Sequence, residues 1–329
     1  MPSTIVILGT GGTIAGTASS AQDNIGYTAA QRTVADLLAA VPDLAGAGTG
    51  AGVEAEQVAQ LDSKDMDAAI WQLLMQRVAH HLARPEVTGV VITHGTDTLE
   101  ETAWLLHRLL APAKPVVLVA AMRPATALAA DGPQNLLDAV AVARTAGARG
   151  VLAVLAGRVH LAREVRKVHP YRPDAFDSGD GGPLGVVEEG VLRRFRDWPE
   201  PPALSGAADA TAVAAAALAR APADWPWVEI IISHAAARGN GVRALVAAGV
   251  QGLVVAATGN GTVHHALQQA LAAAVVAGVP VWRCTRCVQG VLVGADAGPA
   301  AAMSPWQARL ELQLRLLAGP RLATPGGVG

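Results

Sequence analysis

The sequence predicts an α/β protein with two domains: a larger N-terminal one with a parallel-type sheet flanked by helices, and a smaller C-terminal α/β one. Three observations support this prediction. The chain has 329 residues, more than most single compact domains contain. Short apolar runs recur and are continuous rather than alternating, as in strands buried on both faces. Segments with helical spacing lie between them, which is typical of a parallel sheet covered by helices.

The individual elements follow from these two patterns. The predicted strands are apolar runs that begin at Thr4, Gly89, Pro115, Gly150, Glu229, Gly252 and Val279. The predicted helices begin at Met66, Thr98, Gly132, Asn240, Val263 and Ser304. The spacing of Thr98 and Glu101 also predicts a capping box at the start of the second of these helices.

A change in composition marks the boundary between the two domains. From about Arg196 to Ala223 the sequence is rich in proline, alanine and aspartate. We therefore predict an N-terminal catalytic domain over residues 1–195, a linker over 196–224 and a C-terminal α/β domain over 225–329.

Composition and charge argue against several classes of function. The net charge is −2 and no basic tract stands out, which argues against nucleic acid as the main partner. No membrane segment and no secretory signal are visible, so we expect no membrane partner and a cytoplasmic location. No cluster has the spacing of metal ligands, so no metal and no cofactor are expected. The CxxC pair Cys284 and Cys287 has no second CxxC to complete a zinc site, and we interpret it as structural thiols rather than a redox pair.

The stretch ILGTGGTIAG, residues 7–16, is a predicted strand that ends in glycines and threonines. It is not a dinucleotide-binding motif, because Ile14 stands where the third glycine is needed, and no P-loop lysine follows. A hydroxyl at the carboxyl end of such a strand can attack a carbonyl if a base removes its proton. Thr10 and Thr13 are therefore candidate nucleophiles, and capping of a turn or helix is the alternative that this loop leaves open.

A second loop of the same kind lies in VITHGTDTLEET, which begins at Val91. His94, Thr96 and Asp97 lie close together at the end of a buried-type strand. A later segment, REVRKVHP, contains Lys167. A lysine in a cleft becomes a plausible base when burial lowers its pKa, although most lysines are solvated surface charges.

These motifs together resemble the bacterial L-asparaginases, the asparaginase/glutaminase family of amidohydrolases. The resemblance extends from about Thr4 to Leu317, and the pair GTGGTIAG and THGTDTLEETA, in this order and separation, is highly specific. The other matching motifs are AMRPATALAADGPQNLLDAV, DSKDM, GGPLG and TGNG. The resemblance implies hydrolysis of L-asparagine to L-aspartate and ammonia through an acyl-enzyme, with minor glutaminase activity. It also implies a homotetramer built as a dimer of intimate dimers.

The resemblance implies catalytic roles for five residues. Thr13 matches the threonine nucleophile, and Tyr27 matches the tyrosine that orients it. Thr96 and Asp97 match the second threonine and its aspartate, and Lys167 matches the lysine that completes this second triad.

Substrate-binding residues are also implied by the resemblance. Asp62 and Ser63 match the substrate-binding segment, in which the serine holds the α-carboxylate of the amino acid. Thr96 and Asp97 also line the site, and the aspartate grips the α-ammonium group. Asn260 matches an asparagine that a neighbouring subunit contributes.

The sequence departs from the family pattern at two places, and these keep alternatives open. Lys64 stands where family members often have glutamine or glutamate. The C-terminal segment lacks a glutamate that many members carry, and Asp296 is the nearest acid. The alternatives are an amidohydrolase for another small amide and a non-catalytic amino-acid-binding protein. A nicotinamide-dependent oxidoreductase is disfavoured by the glycine spacing.

Overall fold

A computed structural model describes residues 3–45, 51–199, 207–294 and 297–319. The strands are β1 (Ser3–Gly11), β2 (Ala51–Leu61), β3 (Val87–Thr93), β4 (Pro115–Val119), β5 (Gly150–Leu155), β6 (Arg158–Leu161), β7 (Arg166–Lys167), β8 (Phe176–Asp177), β9 (Gly185–Glu188), β10 (Val191–Arg194), β11 (Val228–Ile232), β12 (Gly252–Ala257) and β13 (Val281–Thr285). The helices are α1 (Val34–Ala39), α2 (Pro42–Ala45), α3 (Ala68–Leu82), α4 (Leu99–Leu110), α5 (Gly132–Arg144), α6 (Ala207–Ala219), α7 (Asn240–Ala247), α8 (His265–Val276) and α9 (Pro305–Ala318).

The chain divides into two compact units, Met1–Ala203 and Leu204–Gly329. The α/β class with two domains is thus as predicted. The segment that we expected to be a linker is not without structure, because it contains α6 and a short 3-10 turn at Pro222–Asp224. The domain limits given above stay a prediction.

The first unit is built on a mixed eight-stranded sheet in the order β10-β9-β6-β5-β4-β3-β1-β2. The strands β1 to β5 pair in parallel, which is the arrangement predicted for β1, β3, β4 and β5. The strands β6, β9 and β10 extend this sheet with antiparallel pairs. Each of these three strands has four residues, too few to produce a distinct apolar run in the sequence.

The edge strand β2 was also not predicted, and its position explains why. It pairs with β1 and lies at the end of the sheet, so it needs no continuous apolar sequence. Its Glu56 carboxylate accepts hydrogen bonds from Arg77 at 2.6 Å and contacts His81 at 2.8 Å, both on α3. Polar side chains thus connect this edge to a neighbouring helix.

Helices cover both faces of the parallel part of the sheet. Ile5 and Ile7 of β1 point to the face covered by α1 and α5 and belong to the buried cluster formed with those helices. Val6 and Leu8 point the opposite way, since alternate side chains of a strand face opposite sides. The helices α3 and α4 pack against each other and contact the sheet through β2, β3 and β5.

The connections of the sheet diverge at the carboxyl ends of β1 and β3. These two strands are neighbours, yet the chain leads from β1 to β2 on one side and from β3 to β4 on the other. Such a switch point is where open α/β sheets bind ligands. The loops of the two threonine motifs both start here.

The second unit has a parallel three-stranded sheet in the order β11-β12-β13. One face packs against α7 and α8, and the other packs against α9. Cys284 is buried on β13, Cys287 follows the strand, and both are free thiols. None of the helices in the described ranges has the length and apolar character that crossing a membrane requires.

Candidate active site

The loops after β1 and β3 touch through two glycines. A Cβ atom on Gly12 would collide with the backbone of Gly95, and one on Gly95 would collide with the Ser63 side chain. Gly12 also has φ of 81°, in the region that favours glycine. The absence of side chains at both positions lets the two loops approach backbone to backbone.

Thr13 begins a short 3-10 helix, Thr13–Ala15, directly after this contact. Its side chain is buried, and its Oγ1 lies 2.7 Å from the Tyr27 hydroxyl oxygen. A backbone bridge between Thr17 and Thr28 folds the chain back and brings the tyrosine to this position. Thr10 is used differently, because its hydroxyl donates to the Thr93 carbonyl at 2.8 Å and ties β1 to β3.

Thr96 and Asp97 meet Lys167 at the end of β3. The Lys167 ammonium donates to Thr96 Oγ1 at 2.8 Å and to Asp97 Oδ1 at 2.6 Å. The Asp97 side chain is 54% exposed and that of Lys167 is 19% exposed. The lysine is therefore covered while a carboxylate remains accessible beside it, although the two lie 70 residues apart in sequence.

Ser63 joins this group from the segment after β2. It is buried, and its Oγ accepts a hydrogen bond from the Asp97 backbone N–H at 3.2 Å. Its carbonyl accepts one from the Thr98 hydroxyl at 2.8 Å. The capping box predicted from Thr98 and Glu101 is wrong, because the Thr98 side chain makes no cap hydrogen bond and holds Ser63 instead.

Lys64 places a positive charge next to Ser63. Its ammonium lies 2.6 Å from Asp62 and 3.5 Å from Asp65, and 61% of its side chain is exposed. The hydrogen bond with Asp62 raises the pKa of Lys64. Asp62 also caps the 3-10 helix Ser63–Asp65 by accepting from the Lys64 N–H at 3.3 Å. The Asp62 carboxylate is thus engaged by its own segment.

A buried relay of side chains lies beneath the second threonine loop, and sequence reasoning did not identify it. His94 Nδ1 lies 2.7 Å from the Gly95 carbonyl, and its Nε2 lies 2.9 Å from the Thr102 hydroxyl. Trp71 Nε1 donates to that hydroxyl at 2.9 Å. Burial lowers the pKa of His94 to about 4, so the ring is neutral at pH 7. Each donor then finds an acceptor if His94 donates through Nδ1 and accepts through Nε2.

A buried carboxyl group, Glu100, lies in the first turn of α4 close to Lys167 and was also missed. Burial is the main cause that raises its pKa to about 7, and the charge of Glu101 adds to it. A hydrogen bond from the Lys167 backbone N–H and the charges of Arg166 and Lys167 act in the opposite direction. An acidic residue in the first turn of a helix is already explained by its favourable interaction with the helix dipole. The sequence therefore gives no indication that this one is buried.

Asn260 lies in the second unit, in the turn after β12. Its Nδ2 donates to the Val293 carbonyl at 2.9 Å, and its Oδ1 accepts from the Val293 N–H at 2.8 Å. The side chain therefore holds the segment that contains Val293. Asp296, the acid nearest to the expected position of the missing glutamate, lies outside the described residues.

Comparison with known proteins places this geometry in a family. Residues 4–199 match the asparaginase N-terminal model, and residues 227–324 match the glutaminase/asparaginase C-terminal domain. The L-asparaginase 2 of Escherichia coli is 37% identical over 322 residues, covering 95% of this chain and 88% of the relative. A glutaminase-asparaginase of Pseudomonas fluorescens is 37% identical over 291 residues, covering 88% and 77%.

A solved structure agrees with these sequence matches. The crystal structure of a probable cytoplasmic L-asparaginase from Campylobacter jejuni superposes with a TM-score of 0.87 at 35% identity, covering 98% of both chains. Since the two family models together span most of the chain and the relatives match along nearly its whole length, the chain belongs to the asparaginase family.

Proposed function

We propose that this protein is an L-asparaginase, which hydrolyses L-asparagine to L-aspartate and ammonia and has minor activity on L-glutamine. Relatives named L-asparaginase and glutaminase-asparaginase support this substrate class. The observation that carries the proposal is the pair of threonines on touching loops. Thr13 is hydrogen-bonded to Tyr27, and Thr96 is hydrogen-bonded to Lys167.

In the first half of the reaction, Thr13 Oγ1 forms a bond to the amide carbon of the substrate. The Tyr27 hydroxyl, 2.7 Å away, orients this oxygen. The carbon–nitrogen bond then breaks, which leaves an acyl ester on Thr13. The nitrogen departs as ammonia only if it receives a proton, and the proton released by Thr13 balances this requirement.

The triad of Thr96, Lys167 and Asp97 supplies the proton path. Because the Lys167 ammonium donates to Thr96 Oγ1, the hydrogen of that hydroxyl is directed elsewhere and can be passed to the leaving nitrogen. Lys167 replaces it and in turn takes up the proton that Thr13 released, so the triad regains its starting protonation, with the Asp97 carboxylate 2.6 Å from the lysine. Water then attacks the acyl group, its proton passes through the same groups to Thr13 Oγ1, and the ester bond breaks. Aspartate leaves and Thr13 regains its hydroxyl.

The substrate is a zwitterion, so its site needs a carboxylate for the ammonium group and donors for the α-carboxylate. The exposed carboxylate of Asp97 suits the first role, and the Ser63 hydroxyl suits the second. Asp62 contributes indirectly, because it shapes the segment that carries Ser63. Lys64 adds a positive charge next to the position proposed for the α-carboxylate.

We extend the proposal to assembly and location. The protein is a cytoplasmic homotetramer in which Asn260 serves the active site of a neighbouring subunit. The asparagine amide keeps a second N–H beyond the one given to Val293, so it can hold its own loop and still donate to a substrate. Light scattering of the purified protein and fractionation of cells test these two statements.

The deciding experiment is ammonia release from the purified protein with L-asparagine, with L-glutamine and with a panel of other small amides. We expect fast release from asparagine and slower release from glutamine. Release from another amide alone would establish the alternative amidohydrolase, in which Lys64 has changed the substrate. Tight binding of asparagine without ammonia would establish the non-catalytic binding protein.

A further inference from the structure

Lys167 is attached to the start of α4 at two points, and only one of them involves its side chain. The ammonium group reaches Thr96 and Asp97, at 2.8 and 2.6 Å. The backbone N–H of the same residue donates to the Glu100 carboxyl group. Thr96, Asp97 and Glu100 lie within five consecutive residues, so one short segment holds both ends of the lysine.

The backbone attachment matters because the strand that carries Lys167 is small. β7 has two residues and pairs with the equally short β8 in a separate two-stranded sheet. In this pair the Val168 N–H donates to the Ala175 carbonyl. Neighbouring N–H groups in an extended strand point in opposite directions, so the Lys167 N–H points away from β8. Glu100 is the group that accepts it.

The position of Glu100 is costly for a carboxyl group. The residue is 6% exposed, and burial of an ionisable group without a strong partner is unfavourable. A helix of this length could begin with a neutral residue at no such cost. The charged groups around it are Glu101 on its own helix and Arg166 and Lys167 on β7. The unfavourable burial of Glu100 therefore occurs next to Lys167, whose position the proposed reaction requires.

We propose that Glu100 is a positioning residue, which fixes the backbone of Lys167 against the first turn of α4 and thereby sets where its ammonium meets Thr96. This inference rests on the proposed function for its catalytic meaning. The contact itself does not depend on that function. Displacement of a proton-transferring group by about 1 Å can reduce a rate on the order of 100-fold, so an indirect contact of this kind is sufficient to control turnover.

Two substitutions at this position separate the roles of the bond and of the charge. Glu100→Ala removes the acceptor, whereas Glu100→Gln keeps an acceptor oxygen and removes the ionisation. Glu101→Gln is the matched control, since it changes a neighbouring carboxylate that does not receive the Lys167 N–H. Thermal melts establish which variants are folded.

The first readout is amide hydrogen exchange at Lys167, measured by NMR. We expect protection in the wild type, in Glu100→Gln and in Glu101→Gln, and loss of protection in Glu100→Ala. Unchanged protection in a folded Glu100→Ala protein would overturn the proposal. This readout needs no catalysis, so it decides about the contact even if the wild type releases no ammonia and the proposed function fails.

The second readout is steady-state kinetics with L-asparagine. We expect Glu100→Ala to lower kcat about 10- to 100-fold while KM changes by less than about threefold. Because the pKa of Glu100 is raised to about 7, Glu100→Gln should match the wild type near pH 6. Above pH 8 it should fall below the wild type, since an amide oxygen accepts the Lys167 N–H more weakly than an ionised carboxylate does. A kcat of Glu100→Ala within twofold of wild type would contradict the positioning role, whereas identical pH profiles of Glu100→Gln and wild type would show that the hydrogen bond acts without the charge.

Discussion

The two threonine loops follow neighbouring strands and touch each other, yet they are built in different ways. Thr13 is hydrogen-bonded to Tyr27, which lies 14 residues further along the same loop. Thr96 is hydrogen-bonded to Lys167, which comes from a separate small sheet. Beneath the second loop lie two buried titratable groups, His94 and Glu100, whereas the first loop rests on apolar side chains such as Ile14.

This difference corresponds to the two tasks proposed for the loops. A nucleophile must change its bonding partner during the reaction, so a local hydroxyl partner is enough to orient it. A proton path works only while several groups keep their distances, so it needs support from several elements. We therefore predict that substitutions in the first loop change the chemical step and leave the fold intact. Substitutions beneath the second loop should change the structure that supports it.

The largest effect is expected for Thr13→Ala. Loss of the proposed nucleophile should reduce kcat by on the order of 10⁴-fold or more, while the fold stays intact because the hydroxyl contributes little to the core. The measurement is ammonia release beside a thermal melt. Thr17→Ala is the matched control, because Thr17 lies on the same loop and makes its bridge to Thr28 through the backbone. Near-normal turnover by Thr13→Ala would eliminate Thr13 as the nucleophile.

The next largest effect is expected for Lys167→Met. Removal of the group that we propose to exchange protons with Thr96 should lower kcat about 10²- to 10⁴-fold. Lys114→Met serves as the control, since the Lys114 ammonium is also partly buried but donates to the carbonyls of Leu82 and Arg84, away from the site. If the activity lost in Lys167→Met equals the fraction unfolded, the proton-transfer role is wrong.

The third prediction concerns pH and applies to the second loop alone. The pKa of His94 is lowered from 6.5 to about 4, so between these values the unfolded chain binds a proton that the folded chain does not. Stability from this source is complete above pH 6.5 and is lost as the pH falls through 4. The loss amounts to about 3 kcal/mol. Urea denaturation of wild type and His94→Gln at about pH 7 and pH 4.5 measures it.

We expect the wild type to lose more stability than His94→Gln between these two pH values. His80→Gln, which changes an exposed histidine of α3, should follow the wild type. Parallel losses in the wild type and His94→Gln would show that the buried relay does not couple this loop to protonation.

The smallest effect is expected for Tyr27→Phe. The variant keeps the ring and removes a hydrogen bond worth about 1 kcal/mol, so kcat should fall about 5- to 10-fold. Steady-state kinetics with asparagine gives the value. A loss as large as that of Thr13→Ala would show that Tyr27 transfers the proton itself, and both loops would then contain a proton-transferring group.

The sequence was sufficient to predict the strands that position the site. β1, β3, β4 and β5 are buried on both faces and therefore read as continuous apolar runs. The edge strand β2 and the short antiparallel strands do not form continuous apolar runs, because they need less apolar sequence. Their absence from the prediction did not affect the site, which lies between β1 and β3.

The site itself was predictable only in part. The threonine loops could be found because they follow recognisable strands. The contact of Lys167 with Thr96 spans 71 residues, so no local pattern reveals it, and Lys167 was singled out mainly through the family resemblance. Glu100 could not be found, because nothing in the sequence around it indicates that its carboxyl group is buried. For Asn260, the structure gives the contact with Val293, and its role in a neighbouring site stays a prediction.

The contact between Gly12 and Gly95 has a consequence for engineering. No substitution at either residue can adjust the spacing of the loops by small steps, because a methyl group on Gly12 would collide with the Gly95 backbone and one on Gly95 would collide with the Ser63 side chain. Libraries aimed at new amide substrates should therefore leave both positions unchanged and vary the rim, where Lys64 is exposed and can be replaced without moving either threonine. Specificity is open to selection at that rim, whereas the distance between the two hydroxyls that we propose to react is set by the backbone.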